Sequence, residues 1–249
     1  MSLLNNIKNS LSLKTLLIIA VLYLIIQVVF GFPGQIIAWD GFGYYLYLPY
    51  TFIYGDLKFA DLGHVGAIVD QYENTATLYQ FVLAENGNHV IKYPAGLAIM
   101  SFPFFLIGHG AAYLFGYPMD GFSAPYERMM LASNIFYIII GFIYLRKLLK
   151  CFFNEKVTTL VIIAVLLGTN YLNISITQTM MSHGPLFALY CMALFLTFKW
   201  HENPTYKRSI ALGLLIGLMI IVRPVELLFL LIPIFWKVNS FSSFRDKYV

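Results

Sequence analysis

The sequence predicts an all-α integral membrane protein: a multi-spanning helical bundle whose extracytoplasmic first loop carries interfacial or re-entrant helices. Three observations predict it. Of the 249 residues, 59% are hydrophobic and 11% charged, against about half and about a quarter in a soluble domain. Apolar runs of membrane-crossing length recur along the chain between short loops. Lysine and arginine gather in a subset of those loops, the pattern of a cytoplasmic face. The net charge of +4 therefore reads as orientation, and no nucleic-acid partner is expected. Cys151 and Cys191 lie far apart and imply no disulfide framework.

Six runs are expected to span: 14–31, 127–145, 157–173, 184–199, 209–222 and 226–236. The first lacks a small-x-small cleavage site and reads as a retained signal anchor. The last two are short and flank Arg223-Pro224-Val225-Glu226, a tight hairpin at a membrane surface. Each must thin the bilayer or borrow flanking residues. The run 97–116 is equally apolar but is expected not to cross. If it crossed, Arg146, Lys147, Lys150 and Lys156 would lie opposite Lys8 and Lys14, against the positive-inside rule. With 97–116 re-entrant or along the surface, both termini are cytoplasmic and 32–126 forms the outer loop. Only Lys58, Lys92, Arg128 and Arg223 then remain outside. A seven-span arrangement is the rival. Residues 1–249 are read as one membrane domain, integral to the plasma or inner membrane.

Within the outer loop, residues 43–55 are aromatic and contain Pro49, which suits a short interfacial helix. Asn86-Gly87-Asn88 marks a turn between two short strands further on.

Four polar groups fall on the outer face. Asp40 follows the first span in Ala38-Trp39-Asp40-Gly41 and is a candidate base; the plainer reading is an interfacial acid that caps the next helix. Tyr44 and Tyr45 offer faces for a sugar ring or for the headgroup belt. Lys92, before 97–116, can hold a lipid phosphate or simply snorkel to headgroups. His183 opens a later span, where a phosphate contact competes with a structural hydrogen bond; no metal-ligand spacing surrounds it. Arg223 between two apolar stretches needs a partner, either Glu226 or a phosphate. No Walker, GxGxxG, GxSxG or HExxH pattern occurs, so ATP and nucleotide-sugar chemistry have no support.

The order of these residues resembles the GT-C membrane glycosyltransferases, in particular the family of protein O-mannosyltransferases and lipid A aminoarabinose transferases. An acidic residue opening the first outer loop, followed by a Tyr-rich interfacial helix, is similar to Asp40-Gly41-Phe42-Gly43-Tyr44-Tyr45. The Lys-Pro-Pro-Leu element that begins a second horizontal helix resembles Lys92-Tyr93-Pro94-Ala95-Gly96-Leu97. The basic turn at Arg146–Lys150 also corresponds. Two features depart from the pattern. A Thr-Asp-Met-Pro type element is replaced by Ser182-His183-Gly184-Pro185, which removes a second carboxylate, and the likeness covers only the N-terminal half of such a protein.

The resemblance implies inverting sugar transfer from a polyprenyl-phosphate donor to an unidentified acceptor outside the cytoplasm. Asp40 would be the catalytic acid or base, and Lys92 would hold the donor phosphate with help from Arg223 and His183. Tyr44 and Tyr45 would shape the sugar site. A divalent metal is compatible with this chemistry but not required by it, and no other cofactor is implied. A transporter or flippase of lipid-linked saccharide, or a non-catalytic membrane subunit, would use the same cations without chemistry.

Overall fold

The computed structural model of the protein describes residues 10–29 and 36–238. Lys8, Arg245, Lys247 and the junction 30–35 after the first expected span lie outside the described residues. The described chain is mostly helical, with α1 (Leu11–Val29), α2 (Trp39–Tyr45), α3 (Tyr47–Phe52), α4 (Gly63–Tyr72), α5 (Gly96–Phe115), α6 (Ala124–Leu149) and α7 (Glu155–Leu167). There follow α8 (Tyr171–Thr177), α9 (His183–Glu202), α10 (Tyr206–Val222), a 3-10 helix (Pro224–Leu230) and α11 (Leu231–Phe235). Among the described residues two helices, α5 and α6, are long and apolar enough to cross a membrane. The bent pair α7–α8, with 51° between its halves, makes a third if counted as one. Side-chain caps start two of the helices: Asn154 accepts from the Val157 amide at 3.0 Å, and Thr205 accepts from that of Arg208 at 3.4 Å.

Polar contacts gather the helix termini at two opposite ends. At one end, Arg146 Nε donates to Ser12 Oγ at 2.6 Å, and Ser12 N donates to Glu155 at 2.8 Å. Lys150 pairs with Glu155 at 2.8 Å, and Phe152 packs on Phe198 at 4.9 Å between centroids. This ties the start of α1, the α6–α7 turn and the last turns of α9 together. At the other end, the Glu127 carboxylate accepts the Ile36 amide at 2.7 Å and that of Ile37 at 3.2 Å. The chain at Ile36–Ile37 and the start of α6 therefore lie together.

The expected α-helix over 226–236 is not what forms. Pro224 begins a 3-10 segment, and only Leu231–Phe235 is α-helical. The tighter 3-10 winding rises about 2 Å per residue against about 1.5 Å in an α-helix, so few residues reach further. From Arg223 the chain returns to the far end, where Trp236 lies 6.1 Å from His201 of α9. The expected run 157–173 also breaks, at Gly168–Asn170 between α7 and α8.

Helix α5 and helix α9 use different lengths of α6. Along α5, Ser101 meets Ser133 and His109 meets Tyr126, while Tyr137 donates to the Met100 carbonyl at 2.8 Å. Along α9, Gly184 abuts Asn134, Phe187 lies against Gly141, and Phe195 packs on Tyr144. Thus α5 flanks the first half of α6 and α9 the second.

Around α5 sits a small unit made from the segment between α1 and α6. Strands β1 (Phe81–Leu83) and β2 (His89–Ile91) pair antiparallel, with Val82 opposite Val90. Phe42, Tyr45, Tyr50, Phe59, Phe105 and Phe122 share its core. Each such buried ring stabilises the unit by about 1.5–3 kcal/mol. Tyr45, Tyr54 and Tyr72 all donate to the Asp120–Gly121 turn that links α5 to α6.

Candidate functional site

Asp40 lies in the first turn of α2 and is half-buried. Its Oδ1 accepts two phenols, from Tyr79 at 2.7 Å and from Tyr93. Its Oδ2 has no hydrogen-bond partner among the described residues. Tyr79 precedes β1 and Tyr93 follows β2, so the hairpin carries both donors to the acid. Close approach makes this feasible at Gly43, where a Cβ would fall 2.4 Å from Tyr93 Cδ2. Any side chain there would push Tyr93 off Asp40.

Lys92 completes the group from above. Its Nζ lies 4.5 Å from the Tyr79 ring centroid and 5.0 Å from that of Tyr93, a cation–π arrangement worth about 0.5–2 kcal/mol. It makes no ion pair with Asp40. The tyrosines serve both charges, with hydroxyls toward the carboxylate and faces toward the ammonium. Burial, reinforced by the Asp40 hydrogen bond, pushes the Tyr79 phenol up to about 12 and that of Tyr93 well above its ordinary value. Both remain protonated donors near neutral pH.

A cavity of about 290 Å³ opens on Asp40. Its walls are Ile36, Ala38, Trp39 and Gly41 on one side and Thr177–Met181, between α8 and α9, on the other. A second cavity, of about 450 Å³, is lined by Asn170, Tyr171, His183, Tyr190, Arg223 and Glu226. Arg223 makes no ion pair with Glu226; the buried Glu226 carboxylate instead accepts from Tyr190. Tyr44 connects the two regions. Its ring packs 4.6 Å from Tyr93. Burial raises its phenol, an effect opposed by Arg223 and augmented by Asp40, and the Ser182 hydroxyl interacts with it.

The six expected site residues thus divide. Asp40 and Lys92 meet through two tyrosines, and His183 and Arg223 share the neighbouring cavity. Tyr44 stands between the pairs, buried to 7% exposure. Neither of these cavities is lined by all four polar groups, the arrangement expected from sequence order: Asp40 lines the first, His183 and Arg223 the second, and Lys92 neither, while Thr177–Met181 and His183 lie on successive sides of the same stretch. Tyr45 belongs to neither. It is 1% exposed, donates to the Gly121 carbonyl at 2.5 Å and packs on Phe105 and Phe122. Helical geometry explains this, since adjacent residues point about 100° apart and only one of the pair can face Asp40.

Tyr79 and Tyr93 were not singled out from the sequence. Tyr93 had one signal, its position beside Lys92. Tyr79 had none, because its pairing with Asp40 depends on where the hairpin folds. Among the described residues no three His, Cys, Asp or Glu side chains gather as a metal site; Asp40 is the carboxylate that the first cavity offers. Compared with family models, curated proteins and solved structures, the chain matches none.

Proposed function

We propose that this protein is a multi-pass membrane glycosyltransferase that moves a sugar from a polyprenyl-phosphate donor to an acceptor on the extracytoplasmic side. The observation that carries this reading is Asp40 held by Tyr79 and Tyr93 beneath Lys92, at the mouth of a cavity. In the transfer, an acceptor hydroxyl attacks the sugar anomeric carbon as the bond from that carbon to the phosphate oxygen breaks. The acceptor proton passes to Asp40, and the carrier leaves as prenyl phosphate. Lys92 stabilises the phosphate charge, which is the main electrostatic demand of such a step. His183 and Arg223 hold the carrier end of the donor in the adjoining cavity, and Tyr44 separates the two ends.

The helix frame supports the multi-pass part of the reading. Passes α1, α6, α7–α8, α9, α10 and the final 3-10 segment run alternately between the Ser12–Arg146 end and the Ile36–Glu127 end. Because Ile36 bonds directly to Glu127, a single crossing by α5 alone does not fit. We read α5 as lying on the outer side against the first half of α6. This gives six spans with the basic Arg146–Lys150 turn inside.

A flippase or a non-catalytic subunit is favoured only by the separateness of the Arg223 cavity, which could bind a lipid phosphate without Asp40. Reconstitution into lipid nanodiscs with a radiolabelled polyprenyl-phosphate hexose decides between them. Asp40→Asn is expected to cut release of free polyprenyl phosphate about 100-fold or more, with donor binding retained. Equal release by the variant and the wild type rejects the enzyme.

A further inference from the structure

The sequence assigned the sugar-facing ring to Tyr44 and Tyr45, and both are buried. The aromatic residue that does line the Asp40 cavity is Trp39, which is 59% exposed. Its backbone is unusual as well. Trp39 has φ +52°, a left-handed conformation that a bulky residue rarely takes. Three hydrogen bonds hold it there. Trp39 N donates to the Asn74 carbonyl at 3.0 Å, and Gln80 Nε2 donates to the Trp39 carbonyl at 3.1 Å. Asn74 Nδ2 fixes the preceding turn through the Ile37 carbonyl at 2.6 Å. Asn74 and Gln80 are themselves buried, so the loop spends two interior amides on presenting one exposed indole. Strain of this kind persists where surrounding structure over-determines it, commonly at ligand sites.

We infer that Trp39 is a stacking platform for a pyranose or furanose ring bound at Asp40, a role that rests on the sugar-transfer reading above. A sugar presents a face of C–H bonds. An indole carried on a fixed backbone next to that carboxylate meets that face without consuming a hydroxyl. Packing of this sort distinguishes a sugar-bearing carrier from bare prenyl phosphate, which the cations alone do not.

The chain has three tryptophans, and the other two, Trp200 and Trp236, lie at the opposite end of the helices. A change in intrinsic emission caused by a ligand at the Asp40 cavity, measured in nanodiscs of phosphatidylcholine, is therefore assigned to Trp39. The probes are a short-chain prenyl-phosphate hexose and the same prenyl phosphate without sugar. The hexose probe is expected to change the emission, and Trp39→Gly to abolish that change. Glycine adopts left-handed φ without strain, so this variant is expected to unfold at or above the wild-type temperature. Its affinity for the hexose probe should fall about 2- to 12-fold, the scale of an aromatic stacking contact. Affinity for bare prenyl phosphate should stay unchanged, and Trp39→Phe should keep most of the discrimination. Equal weakening toward both probes, or no weakening toward either, overturns the platform and leaves Trp39 as a headgroup-belt residue. The enzyme reading is judged apart. If Asp40→Asn still transfers sugar while Trp39→Gly loses discrimination, transfer by Asp40 is wrong and the platform stands.

Discussion

Lys92 reaches Asp40 through a ring: its ammonium lies 5.0 Å from the centroid of Tyr93, and the Tyr93 hydroxyl donates to Asp40 Oδ1. One side chain therefore contacts both the carboxylate and the cation. The arrangement separates the hydroxyl contribution from the ring contribution, which is rarely possible with a direct ion pair.

Tyr93→Phe removes the hydrogen bond and keeps the ring beneath Lys92. A hydrogen bond to a charged group is worth about 1.5–3 kcal/mol, so sugar transfer is expected to fall roughly 10- to 150-fold. Binding of prenyl phosphate should change little. Tyr93→Leu should lose both. Steady-state release of prenyl phosphate, with a separate binding titration, checks the split; matching losses in the two variants would mean that the ring contributes nothing.

High pH should uncouple the acid from its donors. The Tyr79 phenol titrates at about 12 rather than 10 because of burial and Asp40. A folded value above the unfolded one means that its contribution is fully present below pH 10 and is lost as pH rises from 10 to about 12. Tyrosinate absorbance of wild type minus Tyr79→Phe should accordingly show one phenol titrating near 12. A difference curve centred at 10 would show that Asp40 and burial do not act on it.

Gly96 is where α5 meets the end of α10. A Cβ there would fall 2.4 Å from the Val222 amide nitrogen and 2.6 Å from the Ile221 carbonyl oxygen. Backbone cannot rotate away as a side chain can. Gly96→Ala is expected to destabilise the fold by about 1–3 kcal/mol and to displace the adjacent Arg223. Thermal unfolding in detergent measures the first effect, and weaker prenyl-phosphate binding the second. An unchanged melting temperature contradicts the packing described.

Sidedness is checked by cysteine labelling in a background lacking Cys151, the cysteine that is only partly buried. A membrane-impermeant maleimide applied from outside should label cysteines placed at Glu85 and at Tyr117 alike, on either side of α5. It should spare one placed at Lys156. Labelling of Glu85 and Tyr117 from opposite faces would prove that α5 crosses.

Much of the helical framework was legible because hydrophobic length is a local property. Apolar runs predicted where α1, α6, α9 and α10 lie, because a helix satisfies its own backbone and needs only enough apolar residues in a row. Asn86-Gly87-Asn88 likewise marked the hairpin turn through backbone preference alone. Local patterns misjudged 226–236, where proline and close packing on α10 favour a stretched 3-10 form over an α-helix.

The site itself was only half legible. Sequence by itself singled out Asp40, Lys92, His183 and Arg223, because charges are conspicuous in an apolar chain. It had no means of pairing Asp40 with Tyr79 across 39 positions, of burying Tyr45 while exposing Trp39, or of placing Asp40 at one cavity and His183 and Arg223 at another. Those outcomes follow from which helix and hairpin faces pack together. Packing sums many weak contacts between residues distant in sequence, so it belongs to the tertiary structure alone.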